Sequence, residues 1–243
     1  MLYGDGMEKR ARGGIAEDRG IIKETVADVT SLLKSRNTER LQYHNLGHAL
    51  EVASVARKLG LKESLDLQTL DDLTLAGLYH DVGFSERYKN NESFGAATAR
   101  SFLERRGRPE ERIRRVEALI LSTRMPPEPK NLLEEIMCAA DHGNASKPSF
   151  FPRGESLRKE IEAEEGCEMS QLDWYTKQRD YLQGLLNNAA FMQAARRFGM
   201  ESGMRLNMRK LNTLIEDIAL DNLPRYIPQT DAVFGKLSAE RRP

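Results

Sequence analysis

From Ile21 onward the apolar residues of this chain recur at intervals of three and four, and nowhere do they alternate with polar ones over a useful length. That pattern confines the fold, because spacings of three and four line one face of a helix whereas a strand needs a period of two. Ile22, Val26, Val29 and Leu33 open the series. Leu46 to Leu59 follows with apolar residues at 46, 49, 50, 52, 53, 55, 56 and 59, a stripe too wide for a surface helix, and Gly60 marks its stop. Further helices are expected over about 65–79, 92–106, 109–122, 131–140, 171–198 and 205–223. Gly107-Arg108-Pro109 and Pro126-Pro127-Glu128-Pro129 punctuate them as helix boundaries do. Lys147 to Gly154, with two prolines and Phe150-Phe151, reads as an ordered loop. The fold class expected is therefore all-α, an irregular helical bundle with additional long C-terminal helices. Residues 1–20 and 224–243 read as tails around a single helical domain over 21–223.

Composition narrows the partners. Lysine plus arginine equals aspartate plus glutamate at 37 each in 243 residues, so the overall field gives no electrostatic grip on nucleic acid or an anionic membrane. A small ligand or a protein partner fits better, and the long amphipathic helices after Gln171 leave a homo-oligomer open. Cys138 and Cys167 are the only thiols and neither belongs to a CxxC pair, so neither a disulfide framework nor a cysteine zinc site is indicated, and a reducing, cytoplasmic setting is expected. No window approaches the roughly 18 consecutive apolar residues of a membrane span, and the N-terminal stretch lacks the apolar core of a signal peptide.

The four histidines, His44, His48, His80 and His142, are concentrated in Tyr43-His44-Asn45-Leu46-Gly47-His48, in Tyr79-His80-Asp81 and beside Asp141. His48 shares a helix face with Val52, Val55 and Leu59, so its ring points inward. His80 ends a helix in line with Leu73 and Ala76, and Asp81 follows it into apolar surroundings; Asp141 closes Ile136-Met137-Cys138-Ala139-Ala140 in the same way. A buried carboxylate costs several kcal/mol unless it is protonated, hydrogen-bonded, ion-paired or bound to a cation. One divalent ion can satisfy both, with His48, His80, Asp81 and Asp141 converging on it as two nitrogens and two oxygens. The His44–His48 spacing also invites comparison with HExxH proteases, but Asn45 cannot serve as their base. Asn45 is expected to cap a helix instead.

This ordered set resembles the HD-domain metal-dependent phosphohydrolases, whose signature is a His, a later His-Asp pair and a still later Asp. Tyr43-His44-Asn45-x-x-His48-x-x-x-Val52 looks like the opening motif shared by stand-alone bacterial HD proteins and the cyclic nucleotide phosphodiesterases, and Asn91-Glu92 looks like the stand-alone group. The likeness covers a metal-binding core of about 40–145, with a helical extension over about 155–223. It implies hydrolysis of a phosphoester in a nucleotide-like or other small phosphorylated molecule, with metal-bound hydroxide as nucleophile, Asp81 at the reaction centre and His44 as the general acid. The alternative is a regulatory HD domain with a structural metal and a ligand-sensing pocket. Mn, Fe, Zn, Ni or Mg would suit the ligand set. Residues 82–140 contain no histidine, which excludes a histidine-built second metal site and disfavours oxidative chemistry; a second ion would have to bind through a bridging Asp81. Phe84 stands where the phosphodiesterases carry another histidine.

In the loop from Ser85 to Glu92, Arg87 and Lys89 are expected to meet phosphate oxygens and Glu92 to orient a water or a basic side chain. Arg124 and Arg153 are weaker anion-binding candidates, with a surface role expected. His142 is expected to back the metal ligands or to be exposed, and Trp174 and Tyr175 to pack in the core or a lid.

Overall fold

The computed structural model describes residues 20–34 and 40–221; the tail over 224–243, and that over 1–20 apart from its final residue, lie outside them. Among the described residues there are helices and no strands. Helix α1 covers 20–34. It is followed by α2 (Leu46–Lys62), α3 (Leu67–Tyr79), α4 (Asn91–Glu104), α5 (Glu110–Leu121) and α6 (Leu132–Asp141). Then come α7 (Phe150–Glu165), α8 (Gln171–Asn187), α9 (Ala189–Arg197) and α10 (Glu201–Asp221). Short 3-10 turns, Val82–Ser85 and His142–Ser146, follow α3 and α6.

The centre of the first half is α3. From Thr69 to Tyr79 every residue is buried, because α2, α4, α5 and α6 all pack around it. Asp66 starts it, accepting hydrogen bonds from the Thr69 amide at 2.9 Å and the Thr69 hydroxyl at 2.7 Å. Asn45 caps α2 as expected, its Oδ1 accepting from the amides of Gly47 (2.9 Å) and His48 (3.2 Å). Two apolar cores result, one built on α1 to α6 and the other on α6 to α10, with Leu59 and Phe198 packed against both. Helix α6 faces both ways: Ile136, Met137 and Ala140 belong to the first core, Cys138 and Ala139 to the second.

Glycine brings α2 and α3 together. A Cβ on Gly77 would lie 2.6 Å from Ala53 Cα and 2.7 Å from its amide nitrogen, so only a bare Cα lets the two backbones approach this closely. Gly77→Ala is expected to cost about 1–3 kcal/mol through overpacking, measured by chemical denaturation. Unchanged stability would mean that the helices separate freely.

Three boundaries differ from those expected. The loop expected over Lys147 to Gly154 is already helical from Phe150. Pro152 is the third residue of α7, in the first turn, where the missing N–H has no intrahelical acceptor to lose. The single helix expected over 171–198 is two, divided at Asn188 (φ −82°, ψ 105°), which leaves helical geometry and accepts from the Phe191 amide at 2.9 Å to start α9. Helix α10 begins at Glu201, before the expected Arg205, after Gly199 turns the chain at φ +72°.

Candidate metal centre

Three helices deliver the four residues. His48 lies in the first turn of α2, His80 caps the C-terminus of α3 with Asp81 next to it, and Asp141 ends α6. His48 and His80 are buried (4% and 0% exposed), and Asp81 and Asp141 keep a narrow opening to one cavity. One ligand atom from each lies within 4.8 Å of all the others, and this group can hold a metal ion.

The spacing fits a shared ion. His48 Nε2 is 3.3 Å from both Asp81 Oδ2 and Asp141 Oδ1, and His80 Nε2 is 2.9 Å and 3.4 Å from the same two oxygens. Ligand atoms about 2.1 Å from a common ion stand roughly 3.0 Å apart at a right angle and roughly 3.4 Å apart at the tetrahedral angle. Despite this proximity neither Nε2 meets the geometry of a hydrogen bond, so two buried imidazole nitrogens are left for another partner. The second nitrogen of His80 is fixed, Nδ1 lying 2.9 Å from the Gly77 carbonyl, which makes it the donor and leaves Nε2 with a lone pair. His48 Nδ1 instead meets Arg153 Nη2 at 3.2 Å. A guanidinium only donates, so with His48 Nε2 given to a metal, Nδ1 carries the proton and Arg153 is left to Glu51, 2.5 Å from its Nη1.

Burial opposes charge on all four groups. On Asp81 and Asp141 that upward push is outweighed by neighbouring imidazoles, and both carboxyls are held below the usual range. Conversely, burial lowers His48 and His80, but the two carboxylates more than offset it and both are raised.

His44 stands just before α2. Its ring stacks on Phe84 at 3.8 Å and 11°, and its Nδ1 is 2.5 Å from Glu160 Oε1. Glu160, on α7 and 1% exposed, also accepts from the amides of Tyr43 (2.8 Å) and His44 (3.0 Å) through Oε2. Burial pushes the Glu160 carboxyl up, but these hydrogen bonds prevail and hold it below its ordinary value. Glu160 was not singled out in the sequence, where it is one acid in a charged run. Its signal is position: it falls beside Leu157 and Ile161 on the inward stripe of α7.

A cavity of about 300 Å³ joins these parts, lined by His44, Asp81, Phe84, Glu92, Asp141 and His142 among others. Of the three loop residues expected to contact substrate, only Glu92 reaches it. Arg87 is exposed, its guanidinium 5.7 Å from the Phe94 ring centre, and Lys89 is exposed as well; neither lines the cavity, because after the turn Val82–Ser85 it is Phe84 and Tyr88 that face inward while Arg87 and Lys89 face out. Arg124 pairs with Ser93 and lies 4.0 Å from Glu92. Arg153, expected on the surface, backs His48. His142 is not exposed: it is 8% accessible, its Nδ1 3.1 Å from the Tyr181 hydroxyl, and burial pushes its pKa down. Trp174 is buried in the cavity wall.

Among the described residues no helix is long and apolar enough to cross a membrane. The family model described as HD domain matches residues 45–145, a range that holds all four metal-capable residues but neither His44 nor Glu160. No curated protein and no solved structure matches the chain.

Proposed function

We propose, from the premise that residues 45–145 of this chain are an HD domain, that the protein is a metal-dependent phosphohydrolase cleaving a phosphoester of a small phosphorylated molecule. The observation that supports this reading is that His44, Asp81 and Asp141 all line one cavity. A protein needing the ion only to tie helices together has no use for a held imidazole there. His48, His80, Asp81 and Asp141 would hold the ion, which when bound supplies Lewis-acid polarisation of the phosphoryl group and a water acidic enough to react near neutral pH.

The chain's own residues complete the reaction. Glu160 holds His44 by Nδ1, so the proton available for transfer sits on Nε2 of the imidazolium. Stacking on Phe84 keeps the ring from turning. His44 then donates that proton to the departing alkoxide oxygen while Glu160 holds the ring in place through Nδ1. Glu92, which lines the same cavity, orients the attacking water or the substrate.

The test is a leaving-group comparison. His44→Ala is expected to lower kcat/KM for alkyl phosphoesters by about 100- to 10,000-fold, the usual worth of general acid catalysis, and to spare aryl esters, whose leaving groups need no proton. Glu160→Gln should show the same selectivity in weaker form, with bound metal unchanged in both. Equal losses on alkyl and aryl esters would remove His44 from the acid role. No hydrolysis of any phosphoester by metal-replete protein would favour the regulatory alternative.

A further inference from the structure

Helix α10 buries one face and turns the opposite one to water. Met204, Met208 and Leu211 belong to the second core, whereas Leu206 and Leu220 are 44% and 64% exposed. Leu206, Thr213 and Leu220 are seven residues apart, close to two helical turns, so the three exposed side chains lie along one line of the surface. That line runs about 21 Å at 1.5 Å per residue, with a leucine at either end.

Exposed charges flank the line, and their sign changes at its midpoint: Arg209 and Lys210 precede Thr213, Glu216 and Asp217 follow it. Nearby Arg205 pairs with Glu201, four residues away. None of the other four charges pairs with another described residue. Within the helix they cannot pair with each other, because Arg209 and Glu216, like Lys210 and Asp217, are about 10.5 Å apart along the axis, whereas helical ion pairs form at spacings of three and four. The order of signs also works against the helix dipole. Its C-terminal end disfavours negative charge, yet Asp221 stands in the last turn and no basic residue does. Charges arranged for the stability of α10 alone would run the other way.

We propose that this face of α10 docks on the same face of a second copy of the chain, the two helices running antiparallel about a two-fold axis at Thr213. Turning one helix end over end about that point lays Leu206 against the partner's Leu220, Arg209 against the partner's Glu216 and Lys210 against the partner's Asp217, and the symmetry repeats each contact. The sides agree as well as the heights. At 100° per residue Arg209 and Glu216 fall on one side of the line and Lys210 and Asp217 on the other, and an antiparallel two-fold keeps each side facing itself. Parallel pairing would instead set Arg209 against the partner's Arg209. One helix face is a small interface, below the roughly 1,200 Å² of standard complexes, so the dimer is expected to be reversible, with Kd on the order of 10 µM.

Charge reversal tests the arrangement. Sedimentation velocity of the full-length protein from about 1 to about 100 µM is expected to show monomer passing to dimer. Arg209→Glu with Lys210→Glu gives each copy four acids on this face, and Glu216→Lys with Asp217→Lys gives it four bases; either pair of substitutions should weaken self-association about 100-fold or more. All four positions face water in the single chain, so the melting temperature of the dilute variants should stay at the wild-type level. Mixing the two variants sets acid against base at every position, and the mixture should dimerise over the wild-type range of concentration. A wild type still monomeric at about 100 µM overturns the proposal, and is the result expected if residues beyond 221 of the same chain cover the face. A dimer indifferent to both reversals overturns it too, by placing the contact elsewhere, as does a mixture that fails to associate.

Discussion

Replacing His80 with alanine is expected to strip the metal from the protein and to lower turnover of every phosphoester by about 1000-fold or more, since even loss of a supporting partner of a ligand costs some 10- to 100-fold. His80 is 0% exposed and has no solvent to replace it. Removing its ring leaves two carboxylates facing one imidazole, with net negative charge in a buried site. Asp81→Asn tests the other half, because it keeps the side chain's shape and removes the charge that a cation needs. Metal content and turnover should be measured in the same sample, before and after chelation of the wild type. An ion present at about 1000 times its Kd stabilises the fold by about 4.1 kcal/mol, so chelation should lower Tm by roughly 8–16 °C in a chain of this size. Full turnover by a metal-free His80→Ala protein would end the metal mechanism.

That these four residues could be read from the chain has a physical cause. Histidine is scarce here, and helical periodicity puts His48 on the face of Val52 and His80 in line with Leu73 and Ala76, positions where a polar ring must find a partner. Glu160 offered no such contrast, because glutamate is common and α7 carries several on its outer face. Only its register with Leu157 and Ile161 distinguishes it, and that register is hidden while Pro152 is taken for a breaker. Arg87 and Lys89 lie outside the cavity lining for the opposite reason. Nearness to Asp81 along the chain says nothing about nearness in space once a tight 3-10 turn intervenes. The division at Asn188 is likewise invisible to periodicity, since apolar residues continue in step on both sides, and what breaks the helix is a local side-chain cap.

A second large effect is expected far from the cavity. Asp72, on α3 and 0% exposed, accepts a hydrogen bond from Arg112 Nε at 2.9 Å through Oδ1, which also lies 2.7 Å from Nη2 of the same guanidinium, and one from Arg115 Nη1 at 3.0 Å through Oδ2. Both arginines come from α5, three residues apart, so the cluster clamps α5 onto the central helix. Burial pushes the Asp72 carboxyl up, and the two guanidiniums offset only part of it, so it is held above the ordinary aspartate value. The sign follows: the folded protein holds this proton more tightly than the unfolded chain does. Stability from this group is therefore full below its unfolded value and is lost as pH rises through the raised folded one. The ionised cluster is thus no net source of stability, yet breaking it is costly. Asp72→Ala takes the shared carboxylate from two guanidiniums, one of them only 8% exposed, and is expected to destabilise the protein by about 3–5 kcal/mol, or roughly 6–20 °C in Tm. Replacing all three, as Asp72→Leu with Arg112→Met and Arg115→Met, is expected to be neutral or stabilising, because these three charges are then no longer buried together. Denaturation at neutral pH distinguishes the cases. If the triple replacement costs as much as Asp72→Ala, the ion pairs themselves hold α5 in place; if Asp72→Ala costs under about 1 kcal/mol, the guanidiniums reach water without it.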